Sequence, residues 1–448
     1  MIQGDQMAQE ALSSSLVDQF AQEFAADHAA RIAQNAVAET PITKVALDRN
    51  IVTSIDPSMS IKVDKWPNTN QKKSGRCWLF SGLNSLKPIV YDDTSLKEFE
   101  FSQNYEFFWD KLEKSNYFLT SMIDLADRDV DDRTVHYLLS DPIGDGGQWN
   151  MFVALVQKYG VVPKYAMPET ESSSNSRDMD ASLENLLRRG ARDVRKAARA
   201  GEDAEAVKNE VLRQIYRVLA IHLGTPPTEF IWQYEDKDGV FHRDGTFTPQ
   251  EFAAKYIPDL DDYVCLVNDP RETSPFNHLY TVDRLGNVIG AKPVTYLNVD
   301  IAVMRKAVIE TLQEGKPVWF GCDTGKQADR DRGIWDAKLF DFEGTYGVDL
   351  TMTKAEELEY AESAMTHAMV FTGVDLLDDG TPRRWRVENS WGDEVGDKGF
   401  FTMNDSWFDQ HVFEIAVHKS KLPEELLSVL DEEPRVLPAW DPMGSLAD

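Results

Sequence analysis

One segment of the chain decides how the rest is interpreted: Gln71-Lys72-Lys73-Ser74-Gly75-Arg76-Cys77-Trp78. It places a cysteine directly after a glycine turn, and residues 78–86 then carry apolar side chains at helical spacing. We therefore predict a helix with Cys77 at its N-terminus. The N–H groups and the positive dipole at that end favour the thiolate form of Cys77, which is the reactive form.

A thiolate nucleophile also needs a base, a group that orients the base, and donors for the oxyanion. Gln71 precedes Cys77 by six residues, and its amide is a candidate oxyanion donor beside the backbone N–H of Cys77. The alternative interpretation is that Cys77 is a buried structural cysteine in a core helix, which is common for a free cysteine. The remaining motifs of the chain decide between these two interpretations.

The composition describes an acidic protein with enough apolar residues for a large core. The chain has 448 residues, 42% of them hydrophobic, and a formal net charge of −29 at pH 7. This length fits two or three domains, or one large domain with insertions. The negative charge argues against nucleic acid or an anionic membrane as a partner, whereas it attracts cationic groups such as peptide α-ammonium ends.

Three cysteines, Cys77, Cys265 and Cys322, are too widely spaced for a disulfide framework or a zinc-ligand cluster. We therefore expect a reducing compartment, no metal and no other cofactor. The first residues lack the basic and apolar regions of a signal peptide, and no run of about 18 apolar residues predicts a membrane-spanning helix. These features predict a cytoplasmic protein.

Helices are predicted for most of the first half of the chain. Residues 9–37 form an amphipathic pattern, whereas residues 40–70 are typical of loop with short extended pieces. A helix is expected over 101–118 with Ser102 as its N-cap, and another over 151–159.

The middle of the chain changes in character. A polar linker at 172–176 precedes a charged segment, 183–222, which predicts two helices broken near Gly201. Arginines between 188 and 199 form a basic face, which we interpret as a solvated helix face rather than an anion-binding site. The region 232–288 is rich in predicted strands.

The last third of the chain predicts one helix, over 301–314, and a sheet. Strands are predicted over 317–322, 368–374, 384–389, 400–403 and 413–417. Helices in the first half and antiparallel strands in the second predict an α+β fold with two lobes.

His367 and Asn389 are the predicted partners of Cys77. His367 opens one strand and Asn389 ends the next, so antiparallel pairing would bring their side chains together. The amide oxygen of Asn389 would accept from the imidazole and fix its orientation, with Trp391 covering that bond from water. A structural histidine is the preferred interpretation of His367 alone, but not of His367 together with Asn389 and Trp391.

Three glycines precede the helix predicted over 151–159, in the segment Gly144-Asp145-Gly146-Gly147-Gln148-Trp149. Such a backbone turns sharply or lies close against another group. One interpretation is an ordinary turn before the helix. The other is a strip of exposed main chain that pairs with a peptide substrate, with Gly147 as the contact.

These motifs resemble those of the papain-type cysteine peptidases. The resemblance is carried by Gln71…Ser74-Gly75-Arg76-Cys77-Trp78, Thr366-His367-Ala368 and Glu388-Asn389-Ser390-Trp391-Gly392. Ser74 stands where secreted relatives have a disulfide-forming cysteine, and His367 follows Cys77 by 290 residues rather than by about 130–150. Both departures fit the cytoplasmic branch of the family, bleomycin hydrolase and bacterial aminopeptidase C.

The most specific resemblance to this branch is the C-terminal segment Leu437-Pro438-Ala439-Trp440-Asp441-Pro442-Met443-Gly444-Ser445-Leu446-Ala447-Asp448. It implies a papain-like two-lobe fold, with a helical lobe, an antiparallel β-barrel-like lobe, a large helical insertion and a C-terminal arm. The resemblance also implies a homohexamer with its active sites facing an inner cavity. The arm would lie in the cleft and present a terminal carboxylate, at Ala447 or Asp448, to the α-ammonium of a peptide substrate.

The resemblance divides the chain into five segments. They are an N-terminal helix and hook region (1–70), the helical lobe with the nucleophile (71–170), a helical and mixed insertion (171–260), the β lobe with His367 and Asn389 (261–430), and the C-terminal arm (431–448).

The expected activity is that of a cysteine aminopeptidase acting on peptides. Its site comprises the catalytic residues Cys77, His367, Asn389 and Gln71 and the substrate-binding residues Gly147, Ala447 and Asp448. One alternative is an endopeptidase or oligopeptidase with a purely structural tail. A non-catalytic binding protein and a nucleic-acid-binding protein are further alternatives; the complete catalytic set argues against the first and the net charge of −29 against the second.

Overall fold

The computed structural model describes residues 11–63 and 66–446. They belong to two compact units: the described part of Met1–Ile55 together with Lys338–Met352, and the described part of Asp56–Ala337 together with Thr353–Asp448. Residues 338–352, which the sequence-based division assigns to the β lobe, therefore group with the N-terminal helices. Every predicted site residue that is described belongs to the second unit.

The helices of the described residues are numbered in chain order. Their bounds are α1 (Ser14–Ala26), α2 (His28–Glu39), α3 (Ile42–Val45), α4 (Arg49–Ser54), α5 (Cys77–Thr94), α6 (Gln103–Asp124), α7 (Arg133–Ser140), α8 (Trp149–Tyr159), α9 (Glu171–Ser174), α10 (Arg177–Arg199), α11 (Ala204–Leu223), α12 (Pro249–Tyr256), α13 (Ile301–Gln313), α14 (Phe342–Tyr346), α15 (Lys354–Glu359), α16 (Asp405–His411) and α17 (Glu424–Leu427). Short 3-10 segments cover Lys164–Ala166, Leu260–Asp262, Lys419–Lys421, Ser428–Asp431 and Pro442–Gly444.

The strands are numbered in the same way. Their bounds are β1 (Ile61–Lys62), β2 (Phe230–Glu235), β3 (Phe241–Phe247), β4 (Tyr263–Val267), β5 (His278–Val282), β6 (Tyr296–Asn298), β7 (Val318–Cys322), β8 (Ala328–Asp329), β9 (Ile334–Trp335), β10 (His367–Leu376), β11 (Pro382–Glu388), β12 (Phe400–Asn404), β13 (Val412–His418) and β14 (Arg435–Leu437).

All strands except β2 and β3, which form a separate antiparallel pair, belong to one sheet. Its order is β14-β5-β6-β4-β13-β7-β10-β11-β12-β9-β8, and β1 also pairs with β10. The strands were predicted to be antiparallel, but three pairs are parallel: β4 with β6, β5 with β14, and β9 with β12. These pairs join strands that are not consecutive in the chain, so other elements lie between them in sequence.

The central strands pack against two hydrophobic clusters. Trp319 and Ala368 belong to the cluster that contains Cys77 and α5, whereas their neighbours Phe320 and Met369 belong to a second cluster with residues of α13. This alternation is expected because successive side chains of a strand point to opposite faces. The sheet is therefore covered by apolar side chains on both faces, and α5 packs against the face that carries Ala368.

The helix predicted at Cys77 is confirmed as α5, whose first residue is Cys77. The side chains of its first turns are all buried, from Cys77 to Asn84, because α5 packs against the helices α6 and α8 and also against β10. Ser81 Oγ donates to Ala368 O at 2.9 Å and ties the helix to this strand. The contact brings the start of α5 close to the start of β10.

Several other predicted elements are confirmed. Ser102 caps α6 by accepting from Tyr105 N at 3.1 Å, the break near Gly201 separates α10 from α11, and β10 pairs antiparallel with β11. None of the helices in the described ranges combines the length and the apolar composition needed to cross a bilayer.

Three expectations about local structure were wrong. The described part of 9–37 is two helices rather than one, because Asp27 ends α1 and caps α2 through a bond from Ala30 N at 3.0 Å. The 172–176 linker overlaps α9, which Thr170 starts with a capping box. The loop predicted over 40–70 contains the helices α3 and α4, whereas β1 is one of the short extended pieces expected there.

The strand-rich region 232–288 also contains a helix, α12. Thr248 and Glu251 form its capping box and Pro249 occupies its first position. This is a sequence signal for a helix start that the strand-like residues around it concealed.

His411 is a buried base that couples the stability of the fold to pH. It is 3% exposed, and neither ring nitrogen has a hydrogen-bond partner among the described residues. The pKa of His411 is lowered from 6.5 to about 3, chiefly by burial and in smaller part by the charges of Lys354 and Lys326. Its stabilising contribution is complete above pH 6.5 and is lost as the pH falls toward 3, because only the unfolded chain then takes up the proton.

Lowering the pH from 7.5 to 5 should reduce the free energy of unfolding of the wild type by about 2 kcal/mol more than that of His411→Phe. Urea unfolding at the two pH values measures this difference. His136→Phe is the matched control, because His136 is exposed. Equal losses in the wild type and His411→Phe would contradict the assignment.

Candidate active site

Cys77 lies at the start of α5, and its side chain is fully buried. The backbone N of Ala368 donates to Cys77 Sγ at 3.4 Å. The sulfur therefore lies against the start of β10, at the residue that follows His367. This is the juxtaposition of cysteine and histidine that the sequence motifs predict.

His367 and Asn389 are in direct contact. His367 Nε2 lies 2.9 Å from Asn389 Oδ1, which also accepts from Ser390 N at 2.8 Å. A carboxamide oxygen only accepts hydrogen bonds, so Nε2 is the donor. In the neutral ring this leaves Nδ1 as the acceptor, which is the state that a general base for Cys77 requires.

Trp391 covers this pair, in the place that the sequence predicts. Its ring centroid lies 5.0 Å from that of His367, at an interplanar angle of 34°. The pKa of His367 is lowered from 6.5 to about 4: burial is the main cause, the bond with Asn389 opposes it by raising the pKa, and the positive charge of Arg330 adds to the lowering. Burial therefore favours neutral imidazole, and a thiolate on Cys77 would oppose that effect by stabilising the imidazolium.

Gln71 is held by Ser74, in the loop of residues 71–76 that precedes Cys77 (the Cys77 loop), and by Ser390, which follows β11. Its backbone N donates to Ser390 O at 2.8 Å, its Oε1 accepts from Ser390 Oγ, and its Nε2 donates to Ser74 O at 2.6 Å. A primary amide has two hydrogens on nitrogen, so the bond to Ser74 leaves one for another acceptor. This geometry is compatible with the predicted oxyanion role of Gln71.

A polar network holds the Cys77 loop. It includes Ser74, which stands where secreted relatives are expected to have a disulfide-forming cysteine. Ser74 Oγ donates to Gln71 O at 2.8 Å and accepts from Arg76 Nε at 2.9 Å. The buried guanidinium of Arg76 then binds both carboxylate oxygens of Glu169, at 3.0 and 2.7 Å. Such a fork-to-fork pair fixes direction as well as distance. Sequence reasoning missed Arg76 and Glu169, which are far apart in the chain.

Asp145 connects the glycine strip to the Cys77 loop. Its Oδ2 accepts from Gly75 N at 2.9 Å, and its backbone O accepts from Trp78 Nε1 at 2.8 Å. The buried Lys111 ammonium lies 2.6 Å from Oδ1. Burial raises the pKa of Asp145, but Lys111 and the hydrogen bonds outweigh it and hold that pKa below its usual value. Asp145 was quoted with the strip, but its role was missed.

Gly147 lies against the indole of Trp78. A Cβ atom at this position would lie 2.4 Å from Trp78 Cε2, so any other residue would displace the indole beside Cys77. This contact accounts for glycine here without a substrate, and the predicted pairing of Gly147 with substrate stays a prediction.

The described part of the C-terminal arm connects the glycine strip to the segment that precedes β10. Ser445 O accepts from Gln148 Nε2 at 2.6 Å, while Ser445 Oγ donates to Met365 O at 2.8 Å. Gln148 adjoins Gly147, and Met365 precedes His367 by two residues. Ala447 and Asp448, the predicted carboxylate donors, lie outside the described residues.

A buried ion pair fixes the arm at its base. Asp441 binds the Arg271 guanidinium, with Asp441 Oδ1 2.8 Å from Arg271 Nη2, and both side chains are at most 10% exposed. Arg271 also binds Asp269 at 2.7 Å. Trp440 adds a cation–π contact, with its ring centroid 3.9 Å from Arg133 Cζ. Arg271 and Asp441 had no signal in the sequence, because the pair joins distant segments.

In the parts of the chain that the structure describes, no group of three or more His, Cys, Asp and Glu side chains is arranged to hold a metal ion. The chemistry that this site can perform with its own residues is nucleophilic attack by a cysteine, proton transfer by a histidine and orientation of that histidine by an amide.

Comparisons with known proteins identify the family. The model of the peptidase C1-like family matches residues 11–444. Aminopeptidase C of Lactobacillus delbrueckii subsp. lactis is 42% identical over 443 residues, which cover 97% of this chain and 98% of the relative. Bleomycin hydrolase of Homo sapiens is 41% identical over 455 residues, which cover 99% and 100% of the two chains.

The fold agrees with this assignment. The crystal structure of PepW from Lactobacillus rhamnosis HN001 (DR20) has a TM-score of 0.96 to this structure at 46% identity, covering 98% of this chain and 100% of that one. This likeness confirms the predicted α+β, papain-like fold. The chain belongs to the peptidase C1-like family and is a cysteine peptidase of the aminopeptidase C and bleomycin hydrolase type.

Proposed function

We propose that this cysteine peptidase is an aminopeptidase that removes N-terminal residues from peptides. His367 accepts the thiol proton, and the Cys77 thiolate, paired with the His367 imidazolium, attacks the carbonyl carbon of the first peptide bond. Gln71 and the backbone N–H of Cys77 stabilise the oxyanion, since N–H groups in the first turn of a helix point outward along its axis. Asn389 holds the imidazole in the orientation that this transfer requires.

The second half of the reaction uses the same residues. His367 gives its proton to the leaving amine as the peptide bond breaks, and a thioester remains on Cys77. Water then attacks the thioester with His367 as the base, which releases the N-terminal amino acid and returns the thiol. Gly147 holds the substrate main chain by strand-like pairing.

One observation carries the restriction to N-terminal residues: Ser445 binds residues on both sides of the cleft, Gln148 and Met365. A substrate that extended across this position would have to displace the arm. Only a peptide that begins at the arm then reaches Cys77. Leu437, Met443 and Leu446 pack against the core cluster that contains Cys77, which supports a fixed arm.

The end of the arm supplies the charge that selects a free amino terminus. Ala447 and Asp448 follow Leu446 and can add at most about 7 Å of chain beyond it. A terminal carboxylate there attracts the substrate α-ammonium, and a desolvated charge pair also fixes its register. Either Asp448, or Ala447 after loss of the final residue, provides this group.

We expect deletion of residues 440–448 to weaken the removal of single N-terminal residues and to permit internal cleavage. The kcat/KM values on leucine 4-nitroanilide and on its N-acetylated form measure the first effect, and mass spectrometry of a cleaved decapeptide measures the second. The wild type should lose most of its activity on the acetylated substrate, whereas the truncated enzyme should not. Equal ratios before and after truncation would favour the alternative, an endopeptidase with a purely structural tail.

We also infer a homo-oligomer, a hexamer by the family resemblance. The apolar stripe of α1 supports this, because no residue of α1 is buried although Leu16, Val17, Phe20 and Phe24 are large and apolar. A contiguous apolar face that remains exposed is typical of an interaction surface. Phe20→Glu with Phe24→Glu should shift the mass measured by light scattering toward the monomer, and an unchanged mass would remove α1 from the interface.

The proposed location is the cytoplasm. Cys77, Cys265 and Cys322 are all free and buried, which fits a reducing compartment. The peptides cleaved would then be intracellular ones.

A further inference from the structure

Arg330 lies at the rim of the site without a role in the proposed mechanism. Its Cζ lies 4.4 Å from the ring centroid of Trp391, the residue that covers His367. Its side chain is exposed, and within the described residues it has no carboxylate partner. This is unusual in a chain with 76 acidic and 47 basic residues, where an arginine readily finds an acidic neighbour.

The position of Arg330 is fixed by a rigid turn between β8 and β9. Asp329 Oδ1 accepts from Arg332 N at 3.0 Å, and Gly333 N donates to Asp329 O at 2.9 Å. The turn ends at Trp335, which is fully buried and stacks on Phe401 at 5.1 Å. Trp391 packs edge-on against the same Phe401 at 5.9 Å, so the turn and Trp391 share one support.

Arg330 and Trp391 contact a different part of the site from the arm. The arm contacts Met365, which precedes His367, whereas Trp391 follows Asn389 and bridges to Asn70. In the described part of the arm, no residue forms a hydrogen bond, an ion pair or a ring contact with Trp391 or Arg330. If the arm occupies the side of the substrate's amino terminus, the leaving part of the substrate departs over Trp391.

We propose that Arg330 binds a carboxylate on the leaving residue of the substrate, which gives this peptidase a preference for dipeptides. The inference rests on the proposed aminopeptidase function. In a dipeptide, the leaving residue carries its α-carboxylate two bonds from the amine that His367 protonates, beside Trp391. A guanidinium stacked on an indole keeps its edge N–H groups available, and these form two parallel bonds to a carboxylate.

The charge of Arg330 also acts on His367. It lowers the pKa of His367, together with the larger effect of burial. A bound carboxylate would cancel part of this charge and help His367 to hold the proton that it delivers to the leaving amine. A carboxylate on the leaving residue would then improve both substrate binding and proton delivery.

The test compares alanyl-alanine with alanyl-alanine amide, which differ only in the carboxylate. We expect the wild type to prefer the free acid about tenfold in kcat/KM, and Arg330→Met to abolish this preference while Arg330→Lys retains part of it. Cleavage of alanine 4-nitroanilide, which has no carboxylate, should change less than the acid-to-amide ratio does, because only the effect of the Arg330 charge on His367 is then lost. Alanyl-glutamate amide against alanyl-glutamine amide shows whether an acidic side chain also serves as the ligand.

Two outcomes would overturn the proposal. The first is an equal acid-to-amide ratio in the wild type and Arg330→Met. The second is a fall of the acid-to-amide ratio in Arg332→Met that equals the fall in Arg330→Met. Arg332 is the matched control in the same turn, so the turn rather than the Arg330 guanidinium would then set the preference. Failure of the aminopeptidase function itself is distinguishable, since the wild type would then cleave N-acetylated and free 4-nitroanilides alike.

Discussion

Replacing His367 with alanine is expected to lower kcat/KM on leucine 4-nitroanilide by about 10⁴-fold or more. The loss is large because one imidazole serves both proton transfers in the proposed mechanism. His367 directly precedes Ala368, whose backbone N donates to Cys77 Sγ. Its Nε2 is already committed to Asn389 at 2.9 Å, which leaves Nδ1 for the sulfur. Burial and Trp391 also keep bulk water, another possible proton acceptor, away from the His367–Asn389 pair.

A second measurement separates chemistry from folding. Alkylation of Cys77 by iodoacetamide at pH 7 should slow strongly in His367→Ala, because the thiol then loses the base that takes its proton. Cys77→Ser identifies the labelled residue by mass spectrometry. His136→Ala is the control for the loss of an exposed imidazole, and it should keep full activity. A His367→Ala enzyme that retains one tenth of the wild-type rate would exclude His367 as the base.

The sequence predicted those parts of the site that depend on local patterns. A glycine turn followed by an apolar helical run placed Cys77 at the start of α5, and the strand patterns placed β10 beside β11. Both predictions depend on the periodicity of consecutive residues, which a single sequence records directly. The contact between His367 and Asn389 then follows from strand pairing.

Other features were missed, one because a local signal was outweighed and the rest because they depend on tertiary contacts. The capping box of α12 was present in the sequence, but the surrounding strand-like residues outweighed it. The apolar stripe of α1 was correctly found, yet no periodicity says whether a stripe faces the core or another molecule. Asp145 joins Gly75, Trp78 and Lys111, and no local pattern reports which buried charges meet.

The same reason explains why the fastening of the arm was missed. The resemblance of the C-terminus predicted an arm, but not the residue that holds it. Arg271 lies 170 residues before Asp441, in a segment that was interpreted only as part of the β lobe. The pair is buried, and a buried charge that loses its partner is costly, so the arm has a strong reason to stay docked.

We expect Asp441→Ala to lower the selectivity for a free amino terminus, measured as the ratio of kcat/KM on leucine 4-nitroanilide to that on its N-acetylated form. Arg271 stays paired with Asp269 in this variant, at 2.7 Å, so the loss falls on the arm and not on the core. The arm loses a charge-assisted pair worth about 1.5–3 kcal/mol, and the cap on Met443 N as well.

That free energy corresponds to a fall in the selectivity ratio of about tenfold or more, with internal cleavage of a decapeptide as the second sign of an open cleft. Asp262→Ala is the matched control, since its partners His418 and Lys419 lie outside the arm. If Asp441→Ala keeps the wild-type ratio, the contacts of Ser445 and Trp440 hold the arm without the ion pair. If both variants lower the ratio equally, the effect reflects a general loss of stability and not the loss of the Arg271–Asp441 ion pair.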